Sequence, residues 1–291
     1  MKRSRTQSAV IYGTFAVFLV WILFPLYFTL LSSVMTPSEI GSVPFHWLPE
    51  RPTLINYIAI FTGNSTPFGA GSQGIVSSTD AVERILPALG RSLVVGAVVA
   101  LANVVIGGFA GYAFSRFPFR GASIGYFLLI ASRVVPGLAI ILPFFIVFRQ
   151  IGLLNTTSGL MIAYIAFTVP ISVWVLKTYF DTVPVEIEEA AMIDGASRLR
   201  SLAVIVAPLA KPGLIAAGLL AFLEAWSEFF YALVLTDSLT APPVVASLQS
   251  LQQFSWTTLA AATVVTVIPP VLIAIGFQKY IVSGLAAGSV K

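Results

Sequence analysis

From Val10 to Leu31 the chain runs without one charged side chain, and nearly every residue is apolar. A helix needs about 20 such residues to cross the hydrocarbon core of a bilayer. Backbone N–H and C=O groups find no water there, so only helices or closed barrels can cross. The run is continuous rather than alternating, which selects the helix. Comparable runs recur at about 92–114, 123–148, 160–179, 213–235 and 259–281. The expected fold is therefore an all-α polytopic membrane protein, a single domain over 1–291 with six transmembrane helices.

Composition excludes the soluble alternatives. Hydrophobic residues make up 57% of the chain and charged residues 10%, with a mean hydropathy of +0.94. So little polar material cannot cover a soluble surface. A cleaved leader is the rival reading of the first run, but its apolar part should be shorter and end at a small-residue site. The first span is expected to stay uncleaved, with Pro25 placed to kink it. Cysteine is absent, so there is neither a disulfide framework nor a thiolate metal site.

Basic residues set the expected orientation. Lys2, Arg3, Arg5, Arg116, Arg120, Lys177, Arg198, Arg200, Lys211, Lys279 and Lys291 fall on one side of this span pattern, and Arg51, Arg84, Arg91 and Arg149 on the other. Eleven against four places both termini and the segment 184–211 in the cytoplasm. The loop 32–91, with its Gly69-Ala70-Gly71-Ser72 cluster, then becomes an extracytoplasmic cap holding short helices, one near Leu54–Phe61. His46, the sole histidine, has no metal-ligand spacing around it and is expected to be a surface residue.

Within the spans, Gly107, Gly108 and Gly111 offer a small-residue face for close helix packing. Pro136, Pro143, Pro170 and Pro269-Pro270 are expected to break several spans, as is tolerated where freed backbone faces protein or a water-filled cavity. Arg133, Glu224 and Glu228 are the costly residues, since a charge at mid-bilayer costs about 2.5–3.5 kcal/mol on insertion scales. Arg133 and Glu224 both count to near mid-depth, and Glu228 is expected one turn beyond Glu224 on the same helix face. A structural Arg–Glu pair, lining of a translocation pathway and a proton relay all remain open. Trp226 and Tyr231 carry rings of the kind that stack on sugars, although such rings in spans more often pack against neighbours.

The segment Pro184–Lys211 is unusual in bearing charge between two spans. Pro184 suits the first position of a helix, and Glu186, Glu188 and Glu189 complement the positive end of its dipole. Gly195 is placed to end that helix in a left-handed cap. Ser197 then caps a second helix carrying Arg198 and Arg200, closed by Pro208 and Pro212. Taken alone, this helical hairpin could be an amphipathic interfacial loop.

Glu189-Ala190-Ala191, then Gly195, Ile205 and Pro208, resemble the EAA motif of ABC-importer permease subunits, departing from it only at Ala207, where Leu is usual. The resemblance implies a type I importer permease fold. It also implies that Glu189, Ala190, Ala191, Asp194, Gly195 and Pro208 belong to a coupling helix that docks on a separate ATPase subunit. Gly152-Leu153-Leu154-Asn155-Thr156, Ala225-Trp226-Ser227-Glu228-Phe229 and the closing Gly284–Lys291 stretch are similar to segments of carbohydrate-uptake permeases, the subfamily that includes the smaller permease subunit of the maltose transporter.

No nucleotide-binding loop, zinc motif or hydrolase elbow occurs in the chain, so an enzyme is not expected. The implied partners are a homologous second permease, two ATPase subunits that bind ATP and Mg, an extracytoplasmic solute-binding protein and membrane lipid, but no nucleic acid. The chain itself is expected to hold no cofactor. The implied location is a bacterial or archaeal cytoplasmic membrane. A proton-coupled secondary transporter working through Arg133, Glu224 and Glu228 is the alternative, although no inverted repeat supports it.

Overall fold

The computed structural model describes residues 5–63, 82–250 and 255–287. The Gly69–Ser72 cluster, Lys2, Arg3 and the last four residues of the chain lie outside them. The described residues are helical and contain no strand. Contacts divide the chain into two compact units, one of residues 1–87 and 244–268, the other of residues 88–243 and 269–291.

In the first unit, α1 (Arg5–Ser33) continues through Pro25. None of its most apolar window is buried, which suits side chains solvated by hydrocarbon. Short helices α2 (Pro37–Ile40) and α3 (Ile55–Thr62) follow, α3 one residue beyond the expected Leu54–Phe61. Asn56 on α3 is fully buried and bonds in every direction. Its Nδ2 donates to the carbonyls of Ser33 (2.9 Å) and Met35 (3.0 Å), and its Oδ1 accepts from the Thr257 hydroxyl (3.1 Å). One amide thus ties the end of α1 to α3 and to the start of the last helix. His46 donates to or accepts from Ser42 Oγ (3.0 Å) and lies 3.1 Å from Glu50 Oε1.

The second unit is built around α4 (Ile85–Arg116), from Ala88 onward. Then come α5 (Ala122–Ala131) with a 3-10 turn at Ser132–Val134, α6 (Gly137–Gln150) and α7 (Thr157–Asp181). α5 and α6 meet at 99°. Pro136 explains the break: it offers no N–H to the preceding turn and drives Val135 into extended backbone (φ −68°, ψ 121°). α7 carries Pro170 inside without a break.

α8 (Val185–Ile193), α9 (Arg198–Leu209) and α10 (Lys211–Ser227) complete the packed region, with α9 and α10 meeting at 82°. Beyond them lie α11 (Phe230–Leu235), α12 (Ala241–Ser247) and α13 (Trp256–Ala287). Two expectations need correction here. The fifth apolar run is not one helix over 213–235, because α10 ends at Ser227 and α11 starts afresh at Phe230. Of the prolines expected to break spans, Pro143, Pro170 and Pro269-Pro270 do not, since they sit inside α6, α7 and α13, where the surrounding helix bonds carry the chain past the missing donors. Among the described residues four helices are long and apolar enough to cross a membrane, or up to six if each bent pair forms one span.

Close approach of α4 and α7 depends on glycine. A Cβ at Gly111 would lie 3.0 Å from the backbone nitrogen of Lys177, and one at Gly107 3.0 Å from Ser172 Cβ. Gly108, on the same predicted face, would meet nothing within 4 Å. Beside this seam Asn103 donates to Thr168 Oγ1 (2.7 Å) and accepts from Ser172 (2.8 Å), so the polar groups between the two helices satisfy each other. Gly111→Ala is expected to destabilise the protein by about 1–3 kcal/mol through overpacking against backbone that cannot move aside. Gly108→Ala should be neutral or slightly stabilising. Thermal unfolding midpoints of the two variants in one detergent check this contrast, and equal midpoints would reject it.

Candidate functional site

Two places in the second unit concentrate charge. The first is the α8–α9 hairpin. Pro184 stands just before α8 with extended ψ (φ −57°, ψ 132°), one position earlier than expected. At the other end Gly195 takes φ +88°. The Gly195 N–H donates to Met192 O (3.1 Å) and the Ala196 N–H to Ala191 O (2.9 Å), which closes the helix in a left-handed Schellman turn. A Cβ at Gly195 would touch nothing, so glycine is there for its dihedral and not for space.

Ser197 Oγ then accepts the N–H of Arg200 (3.3 Å) and caps α9. Pro208 lies inside α9, not at its limit. Its missing N–H follows a wide turn over Leu202–Val206, in which the Ala207 N–H reaches back to Leu202 O.

The hairpin has two unlike faces. Glu189, Ala190, Asp194, Gly195 and Pro208 are exposed and Ala191 is half-buried. Among them Ile193 and Leu199 are 87% and 68% exposed, apolar side chains left uncovered beside charges. The inner face rests on Glu188, which the sequence pattern did not separate from its neighbours. Glu188 Oε1 accepts from Arg116 Nε (2.5 Å) and Oε2 from the Tyr112 hydroxyl (2.7 Å). The Arg116 and Glu188 side chains are only 5% and 4% exposed. Arg116 Nη2 also donates to Val183 O (2.7 Å). In the sequence Arg116 counted only as one of the basic residues on the cytoplasmic side. The available signal was Tyr112 and Arg116, one helical turn apart, at the polar end of a span.

The second place is the α5–α6 break. Arg133 Nη2 lies 2.9 Å from Glu224 Oε1 on α10, its Nη1 donates to Phe167 O (2.8 Å), and its guanidinium sits 4.1 Å from the Phe167 ring centroid. The second oxygen, Glu224 Oε2, is buried and has no donor among the described residues. A cavity of about 110 Å³ opens here, walled by Ser132, Arg133, Ile140, Phe144, Ala166 and Phe167.

Glu228 does not share a face with Glu224, because α10 ends before it and its backbone is extended. Its carboxylate accepts the N–H groups of Tyr231 (3.0 Å) and Ala232 (3.2 Å) and the Tyr164 hydroxyl (2.7 Å), so it starts α11 and anchors it to α7. Trp226 is buried and stacks on Phe222, with ring centroids 5.6 Å apart. Tyr231 is buried too, and its hydroxyl donates to Gly137 O (3.0 Å).

Arg133 and Glu224 should therefore behave as a coupled pair. In a cycle of Arg133→Gln, Glu224→Gln and the double variant, the thermal stability of the purified protein is expected to depart from additivity by about 0.5–3 kcal/mol, with the double variant milder than the sum. Additive losses would reject the pair.

Comparison with known proteins agrees with these features. Residues 103–286 match the family described as binding-protein-dependent transport system inner membrane component. The chain is 33% identical over 274 residues to the trehalose/maltose transport system permease protein MalG of Thermococcus litoralis, covering 92% of this chain and 91% of that protein. It is 31% identical over 272 residues to the sulfoquinovosyl glycerol transport system permease protein SmoH of Agrobacterium fabrum, covering 92% and 89%. In fold it resembles a chain from the crystal structure of a bacterial ABC transporter involved in the import of the acidic polysaccharide alginate, with a TM-score of 0.74, 21% identity, and coverage of 96% of this chain and 99% of that one. With its all-helical, membrane-embedded architecture, the chain belongs to the family of inner-membrane permease components of binding-protein-dependent ABC transporters.

Proposed function

We propose that this chain is one half of the translocation pathway of an ABC importer for a carbohydrate or related polyol. The observation that carries this reading is the α8–α9 hairpin, whose motif residues stand exposed on a turn fixed by Gly195 while its inner face is tied down by Arg116. An element held rigidly on one side and left apolar on the other is built to be pushed by a partner. In this reading the partners are two ATPase subunits, which bind ATP and Mg, and they dock at Glu189, Ala190, Ala191, Asp194, Gly195 and Pro208. A second, homologous permease completes the pathway, and a solute-binding protein delivers the solute from outside. Carbohydrate is inferred from the substrates in the names of relatives such as those of T. litoralis and A. fabrum.

The bent α5–α6 pair counts as one span here and α10 as another, α9 staying with the hairpin, which gives six spans with both termini and the hairpin in the cytoplasm. Arg133 and Glu224 line the pathway at the α5–α6 break. A proton-coupled carrier is the weaker reading, because it leaves the hairpin without a task and because Glu228 is already engaged in capping α11.

Purification from native membranes is expected to bring down an ATPase subunit with this chain. Gly195→Asp places a side chain in left-handed backbone, at a cost of about 1–2 kcal/mol, and projects a charge into the docking face. The expected result is loss of solute-stimulated ATPase activity in membranes, and unchanged stimulation would reject the docking role. Orientation is checked separately with Ser197→Cys and Arg51→Cys, in a chain naturally free of cysteine. A membrane-impermeant maleimide applied to intact cells should label position 51 and spare 197. The reverse pattern would overturn the topology and the docking assignment together.

A further inference from the structure

Between α7 and the α8–α9 hairpin the helix is interrupted. α7 ends at Asp181, Thr182 and Val183 follow, and Pro184 stands in extended backbone before α8 begins. The N–H groups of Thr182 and Val183 still bond back to Tyr179 O and Phe180 O (both 3.1 Å), and the ladder stops at Pro184, which has no N–H, so the junction can act as a hinge there.

Arg116 closes that hinge from outside. One guanidinium donates to the Glu188 carboxylate on α8 and to the Val183 carbonyl within the hinge itself, while Nη1 reaches Ser115 Oγ (3.0 Å) on its own helix. Ser115 Oγ in turn donates to Asp181 Oδ1 at the end of α7 (2.7 Å), and Asp181 Oδ2 lies 2.7 Å from Lys177 Nζ. Tyr112 holds the other Glu188 oxygen. Three elements, α4, α7 and α8, therefore meet in one hydrogen-bonded cluster. Its central ion pair is almost wholly shielded from water, so removing one partner would leave the other as an uncompensated buried charge. Just beyond the cluster α4 and α7 are locked backbone to backbone at Gly111.

We propose that Arg116 and Glu188 are positioning residues for energy coupling, converting the Thr182–Pro184 hinge into a rigid joint through which displacement of α8 enters the α4–α7 pair. The proposal rests on the reading that α8 is the element an ATPase pushes, and it adds the residues through which that push is transmitted. Neither residue belongs to the exposed docking face: Glu188 points inward where Glu189 points out. Glu188 thus has a task distinct from that of the motif carboxylate beside it.

The test uses the assembled transporter as it co-purifies, with ATP and orthovanadate as the trapping probe. A single cysteine at Leu101 on α4, or at Ile162 on α7, both exposed, carries an environment-sensitive fluorophore. The spectral shift on trapping is measured per mole of trapped nucleotide. In Glu188→Gln and Arg116→Gln this shift is expected to fall by about fivefold or more at both positions, the lower end of ordinary inter-site coupling. Arg116→Lys should give an intermediate loss, because an ammonium cannot serve the carboxylate and the Val183 carbonyl in the fork geometry of a guanidinium. It also carries the test if the glutamine variants do not assemble.

Asn103→Ala, in the same helix pair but away from the hinge, should lower the melting temperature and leave the shift per trapped nucleotide at the wild-type value. A merely structural role for Arg116 and Glu188 would reproduce that Asn103 pattern and overturn the proposal. Full shifts in all the Arg116 and Glu188 variants would overturn it as well. A wild-type chain that purifies without any ATPase would instead remove the functional reading on which the proposal stands.

Discussion

Hydrocarbon cannot hydrogen-bond, and the architecture follows from that single constraint. Each polar group placed at membrane depth must find a partner in the protein or face a water-filled space, because leaving it unpaired costs several kcal/mol. The second unit meets this demand with small, closed clusters. Asn103 bonds Thr168 and Ser172 between α4 and α7. Glu228 supplies the start of α11 and takes the Tyr164 hydroxyl. Arg133 uses both terminal nitrogens, one on Glu224 and one on a carbonyl of α7. These bonds fix which helices are neighbours, a choice that apolar side chains alone leave open, since lipid is as apolar as leucine.

The same constraint explains where the helices are allowed to fail. Pro136 breaks the third run, and the freed region is the one Arg133 occupies. The carbonyl that Arg133 bonds belongs to Phe167 on α7, so the break in one run is tied to the neighbouring helix. Beside it the second oxygen of Glu224 is buried and has no donor among the described residues.

Much of this was legible in the chain, and the reasons are local. Gly195 was readable because a left-handed cap depends on one residue and its own dihedral. The Arg133–Glu224 pair was legible only as one of three open readings, because opposite charges within apolar runs can pair, line a pathway or relay a proton. Long helices announced themselves by length alone.

What escaped was set at a distance or by competition. Arg116 and Glu188 are 72 residues apart, and no pattern in either segment specifies the other. The end of α10 at Ser227 was hidden because Glu228 was read as a charge on a helix face, when its carboxylate competes with the helix by capping the next one. Pro269-Pro270 misled in the other direction, since a helix interior can lose two donors and persist.

The pair Glu188 and Glu189 shows how a helix assigns opposite tasks to identical neighbours. Successive residues on a helix point about 100° apart, so one carboxylate turns into the Tyr112–Arg116 cluster and the next faces outward. The inward one is desolvated and holds a fixed geometry. The outward one is free to exchange partners, water included. Inward rigidity and outward availability depend on each other, because an exposed docking surface transmits force only as well as its other side is held. With α8 joined to α7 through non-helical backbone at Val183–Pro184, the holding cannot come from the main chain. It has to come from side chains, and the buried cluster around Arg116 places them at that joint.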